Sequence, residues 1–189
     1  MLRTCSLIAC TLASIALVGC AGPGHGQGYG QGHAHGHGHG PGTMAVASLS
    51  PTQGNNVRGL VMFHQMDGQL MVHAMVSGLK PGAEHGFHVH ENGSCASVDG
   101  MSAGGHFNPD GKPHGPQSAP HHAGDMPSLK ADANGVADQK FMLTGTTVAA
   151  GATSVVGRSV IVHAMPDDYT TQPTGNSGAR LGCGVIAAH

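Results

Sequence analysis

The stretch Gly86-Phe87-His88-Val89-His90 carries the plainest chemistry in the chain. On an extended strand, positions i and i+2 point to the same face, so His88 and His90 present two imidazoles side by side. Two imidazoles on one face can grip one metal ion, since imidazole is the commonest metal ligand. A lone His-x-His is weak evidence in a chain with 16 His. It gains weight from the donors downstream: His106, His114, His122, Asp125 and His163.

Such donors need a scaffold that holds them apart in sequence and together in space. The chain has 189 residues, with 32 Gly, 11 Pro, 10% charged residues, 3% aromatic residues and no Trp. That composition reads as many short strands and turns, and no amphipathic helix of useful length is legible. The net charge of -2 leaves no basic patch for nucleic acid. Residues 45–50 read as a first strand. Apolar and polar residues alternate with period two over 57–64 and 70–76, where Leu70, Val72, Ala74 and Val76 share one face and Met71, His73 and Met75 the other. Asp67-Gly68 and Pro81-Gly82 read as turns. Ser128–Ala133 and Val136–Leu143 flank Asn134-Gly135, a hairpin signal. Ser159–His163 and Gly182–Ala188 add two more strands. About eight short strands predict an all-β fold, a sandwich or flattened barrel. Two long stretches fit no strand, Glu91 to Met126 and Ala164 to Leu181, and both are bounded by the candidate donors. Long structureless loops in a compact domain are usually functional.

The first 19 residues read as an export signal, with Arg3 at the positive end and an apolar run from Leu7 to Val18. Leu17-Val18-Gly19-Cys20 resembles a bacterial lipobox, which would place lipid on Cys20 as the new N-terminus. The other reading is an ordinary signal peptide cut near Gly19 or Ala21. Residues 20–43 form a Gly/His-rich tether with too little apolar content to fold by itself. Its His25, His33, His35, His37 and His39 could collect a transition metal, or the segment could serve as a spacer. Residues 44–189 form the β domain. Of five cysteines, Cys5 and Cys10 leave with the signal and Cys20 takes lipid, so Cys95 and Cys183 remain to form a disulfide in an oxidising compartment. Closing so long a loop contributes about 4–5 kcal/mol on the chain-entropy account.

Five motifs in order then carry a family resemblance. They are Gly86-Phe87-His88-Val89-His90-Glu91, Gly105-His106-Phe107-Asn108-Pro109, His122-Ala123-Gly124-Asp125, Val162-His163, and Gly175 through Ile186 with Gly178-Ala179-Arg180 and Gly182-Cys183-Gly184 inside it. Together they resemble the Cu/Zn superoxide dismutases, in particular the bacterial exported branch, through most of 57–187. The resemblance implies an immunoglobulin-like Greek-key β-sandwich with two long functional loops. It implies one copper and one zinc per subunit. His88, His90, His106 and His163 would hold copper; His106, His114, His122 and Asp125 would hold zinc, with His106 shared. Asp167 would join a copper-ligand histidine, His88, to the zinc ligand His114 from outside the ligand set. Arg180 would attract and orient a small anion above the copper.

The implied reaction is conversion of superoxide to oxygen and hydrogen peroxide by redox cycling of copper, with zinc holding His106 and Arg180 guiding the anion. The implied partners are superoxide, a membrane only through lipid on Cys20, and at most a second copy of the chain, monomer and homodimer both occurring in the branch. The implied place is the periplasm, with Ala21 after Cys20 favouring the outer membrane. His85 matches a structural histidine of the family. His64 and His73 lie opposite the apolar faces and are expected to be exposed. Gly182 stands where Ala is usual before the second cysteine. A metal store and a zinc hydrolase are the rival readings. Arg180 argues against the first, since storage needs no anion guide. No general base stands near an open zinc position to support the second.

Overall fold

The computed structural model describes residues 43–189. Expectations for the signal segment, for Cys20 and for His25, His33, His35, His37 and His39 lie outside the described residues. Nine strands follow in order: β1 Met44–Pro51, β2 Arg58–Met66, β3 Gln69–Ser77, β4 Glu84–His85, β5 Phe87–His90, β6 Leu129–Lys130, β7 Ala137–Leu143, β8 Ser159–His163 and β9 Arg180–Ala188. The only helical turn among the described residues is a 3-10 turn at Met101–Ala103.

Seven strands form one curled antiparallel sheet in the order β5-β8-β9-β1-β2-β3-β7, and β4 pairs with β6 beside it. The last strand pairs with the first, Ala47 opposite Ile186 and Pro51 opposite Gly182. Period-two alternation decides which face is core. In β3, Leu70, Val72, Ala74 and Val76 are buried, while Met71, His73 and Met75 are only partly so. The inner faces meet in a single core with Phe63, Leu70, Phe87, Leu129, Leu143 and Ile186 among its largest buried side chains.

Two expectations are corrected. The Asn134-Gly135 turn forms, with Gly135 at φ 75°, but no hairpin extends from it. β7 pairs with β3, Val72 opposite Phe141, and β6 crosses to β4, Glu84 opposite Lys130. Asp132 closes the turn instead, its Oδ1 accepting the Asn134 and Val136 N–H groups at 2.8 and 3.0 Å. His64 and His73 are partly buried rather than exposed, because they stand among methionines on the outer sheet face.

Both long loops are present. One runs from β5 to β6 and the other from β8 to β9. The disulfide Cys95–Cys183 forms, with Cα atoms 5.8 Å apart, joining the first loop to β9. Cys183 packs with Ala103 and Ile161 in a small second apolar cluster.

Candidate metal centre

β5 positions the first two histidines. All four of its residues are buried: Phe87 and Val89 face the core, and His88 and His90 face a cover supplied by the loops. β5 is an edge strand, and the loop from β5 to β6 returns to its free side. Phe107 N–H donates to Val89 O at 2.9 Å and Val89 N–H to Gly124 O at 2.8 Å. The resulting bridges set His106 opposite His90 and Asp125 opposite His88. Gly124 is required there, since a Cβ would strike the Val89 carbonyl. His163 ends β8 at an irregularity in its pairing with β9 and stands opposite Arg180. His114 is fixed from the second loop: Gln172 accepts its backbone N–H at 2.8 Å and donates to its carbonyl at 2.9 Å.

The expected donors converge as two groups sharing one residue. One ligand atom each from His88, His90, His106 and His163 lie within 4.8 Å of one another; so do those of His106, His114, His122 and Asp125. A third group, His88, His114 and Asp167, links the two. All eight of these side chains are buried.

Hydrogen bonds fix which nitrogen of each ring is free. A carbonyl oxygen only accepts, so the ring atom facing it carries the proton. His90 Nδ1 donates to Gly104 O at 2.9 Å and His163 Nδ1 to Gly178 O at 3.1 Å. Their Nε2 atoms then face each other at 3.3 Å. Asp167 accepts from His88 Nε2 at 2.7 Å and from His114 Nε2 at 2.8 Å, which leaves both Nδ1 atoms inward. His88 Nδ1 and His106 Nε2 are buried with no hydrogen-bond partner. Buried lone pairs of this kind are expensive unless something satisfies them, and a cation does so.

The donor sets fit copper and zinc. Four imidazoles suit tetragonal copper. Three imidazoles and a carboxylate form a closed set of the kind that zinc takes in structural sites.

Electrostatics favour neutral rings on one side and a fixed negative charge on the other. Burial holds His90 and His163 well below the ordinary imidazole value and lowers His88. Burial lowers His106 to about 4. Burial also opposes charge on Asp125, but hydrogen bonds from His106, His114 and His122 outweigh it and hold that carboxyl far below its usual range. On His114 burial is again outweighed, by Asp125 and Asp167, which raise it to about 9.

A cavity of about 520 Å³ is lined by His90, His106 and His163 of the first group together with Arg180. The Arg180 guanidinium is held by two carbonyls, Gly100 O at 2.8 Å and Gly104 O at 2.7 Å. Gly104 O therefore accepts from both His90 and Arg180. No side-chain signal announced that role for Gly104, nor the cover given by Ser177, which is 1% exposed and sits where a Cβ on Gly86 would go. Gly104 has φ 76°, a conformation other residues adopt at a cost, so the Gly104-Gly105 pair before His106 was the one available hint. His85 Nδ1 donates to the His163 carbonyl at 2.8 Å and joins neither group, and His121 turns to the Ala119 carbonyl.

A curled antiparallel β sheet carrying two histidine clusters with a common member defines the class of protein. The family model described as copper/zinc superoxide dismutase (SODC) matches residues 57–186. The chain is 43% identical over 150 residues to "Superoxide dismutase (Cu-Zn) 2" of Brassica juncea, covering 75% of this chain and 95% of that protein. It is 40% identical over 134 residues to "Superoxide dismutase-like protein YojM" of Bacillus subtilis (strain 168), covering 68% of each. The crystal structure of a SOD-like protein from Bacillus subtilis matches with a TM-score of 0.67 at 38% identity, over 74% of this chain and 95% of that one. A double mutant of a SOD-like protein from the same organism matches with 0.68 at 38% identity, over 76% and 97%. The chain belongs to the copper/zinc superoxide dismutase family.

Proposed function

We propose that the chain is an exported superoxide dismutase that converts superoxide to oxygen and hydrogen peroxide at a copper–zinc pair. In this reading His88, His90, His106 and His163 hold copper, and His106, His114, His122 and Asp125 hold zinc, one of each per subunit. The observation that carries it is His106, which belongs to both groups and turns opposite ring nitrogens to them: Nδ1 lies 2.8 Å from Asp125 Oδ1, and Nε2 is buried without a partner.

When bound, copper supplies a one-electron couple that superoxide can both reduce and reoxidise, and zinc supplies a fixed positive charge behind His106. The chain's own residues do the rest. Gly104 O, Gly178 O and Asp167 hold the imidazole tautomers. His106 lines the cavity, and its Nε2, whenever copper does not hold it, can carry a proton and pass it to the departing peroxide. Arg180 draws the superoxide anion down the cavity and orients it by charge-assisted hydrogen bonds; superoxide dismutases are themselves an example of such steering. The Cys95–Cys183 disulfide fixes the loop whose carbonyls hold Arg180.

The reading extends to location. Residues 1–19 act as the signal peptide, Cys20 takes lipid, and 20–43 tether the domain to a bacterial membrane facing the periplasm, the outer membrane favoured by Ala21. Arg3, the apolar run and Leu17-Val18-Gly19-Cys20 support it.

The test is superoxide consumption by the metal-loaded protein and by His163→Ala. The wild-type protein should consume superoxide, and the variant should lose that activity while keeping zinc. A wild-type protein that holds both metals and consumes no superoxide would be a metal store, and the proposal would be wrong.

A further inference from the structure

The outer face of β2 and β3 carries chemistry that the histidine centre does not use. The solvated face of an antiparallel sheet is ordinarily polar, yet here it is lined with thioethers. Met71, His73 and Met75 alternate along β3 and share that face. Met62 stands directly opposite His73 on β2, and Met142 directly opposite Met71 on β7. Among the described residues Met126 is the one methionine buried in the core, so these four do not serve as its packing.

Register places the donors on one face around His73. Residues directly opposite on antiparallel strands have Cβ atoms about 4.5–5.5 Å apart, and residues two apart on one strand lie about 7 Å apart. His73 therefore has Met62 across the strand and Met71 and Met75 on either side. A methionine side chain has three rotatable bonds and adapts to such a centre.

His73 carries a second feature of a ligand. Its Nε2 lies 2.7 Å from Asp138 Oδ1, and its side chain is only 16% exposed. A carboxylate on one ring nitrogen fixes the tautomer and leaves the other nitrogen to ligate, as is usual for metal-bound histidines. Lys140 stands opposite His73 on β7, but it is exposed and its long stem lets the ammonium turn to solvent.

We propose that the outer face of β2 and β3 is a binding site for Cu(I), with the His73 imidazole, the Met62 thioether and the thioether of one β3 neighbour, Met71 or Met75, as ligands. Soft thioethers select Cu(I) over zinc, which prefers imidazole, thiolate and carboxylate. The site is separate from the histidine centre. β3 is five strand positions from β5 in the sheet, about 24 Å along the sheet at the usual strand spacing. It would hold the reduced ion on the surface without an anion channel.

The test uses the full mature chain with its histidine centre loaded with zinc and reduced copper, and its methionine methyl groups carbon-13 labelled. Addition of one equivalent of Cu(I) without oxygen should shift the methyl resonances of Met62 and of Met71 or Met75. Met101 and Met165, both exposed and distant in sequence from this face, should stay in place. Met71→Leu/Met75→Leu and, separately, His73→Gln should each weaken uptake of the extra ion about tenfold or more against a chromophoric Cu(I) chelator. Leucine for methionine conserves volume and should leave the fold intact, which an unchanged melting temperature checks. Shifts confined to Met101 or Met165, no shift at all, or equal uptake by the folded variants would overturn the site. None of these readouts measures superoxide, so the dismutase proposal stands or falls separately.

Discussion

At the residue scale, Arg180 and Asp167 do different work on the same centre. Arg180 makes no hydrogen bond to the donor atoms of the metal groups; its guanidinium lines the cavity, clamped by the Gly100 and Gly104 carbonyls. Arg180→Ala should lower the second-order rate with superoxide about ten- to a hundredfold at low salt, with copper content unchanged. Much of that difference should shrink as salt screens the charge; stopped-flow rates over a range of ionic strength measure both. Asp167 accepts from His88 and His114 at once. Asp167→Asn replaces an acceptor-only group by one that cannot serve both rings equally, and should weaken metal affinity about 10- to 100-fold. Equilibrium dialysis against a chelator checks it, and unchanged affinity for both metals would remove Asp167 from the design. Every residue of the two groups was named through the family resemblance; imidazole as a residue type could not choose them among 16 histidines. The roles of Gly104 and Gly178 were not legible, because their contribution is a backbone oxygen and its aim depends on a loop conformation that no residue type encodes.

At the scale of elements, the strands followed their alternation and one connection did not. The period-two pattern of 57–64 and 70–76 placed β2 and β3 nearly to the residue. Asn134-Gly135 marked a turn correctly and a hairpin wrongly. Local turn chemistry fixes where a chain reverses, while pairing partners are chosen by distant strands, here β3 for β7 and β4 for β6. The disulfide acts at this scale as well. It pins the loop carrying Gly100 and Gly104 to β9, which carries Arg180. Cys95→Ser/Cys183→Ser should cost about 2–5 kcal/mol of stability, read by denaturant unfolding. In the protein that remains folded it should also lower the superoxide rate in the same salt-sensitive way as Arg180→Ala. A variant with lost stability and an unaltered rate would show that the clamp does not hold the arginine.

At the scale of the whole molecule, the seven-stranded sheet positions the centre by burying one face of β5 and leaving its edge for the loop to occupy. No helix among the described residues is long and apolar enough to cross a membrane. The membrane part of the proposal is carried by Leu17-Val18-Gly19-Cys20. Cys20→Ser should move the protein from the membrane fraction to the soluble fraction of the cell envelope without changing its rate per copper; fractionation and immunoblotting read this. A variant that stays with membranes would reject lipid as the anchor.

The pairing of first and last strands has a directional consequence. β1 begins at Met44, whose carbonyl accepts the N–H of the terminal His189, and ends at Pro51 opposite Gly182. The next residues, Thr52 and Gln53, line the cavity with Arg180. At the usual rise of about 3.3 Å per residue, Met44 and the cavity lining that follows Pro51 are separated by the length of β1, roughly 23 Å. The cavity thus lies at the far end of β1 from the Met44–His189 hydrogen bond, so the seam that closes last strand on first is remote from the approach of an incoming anion.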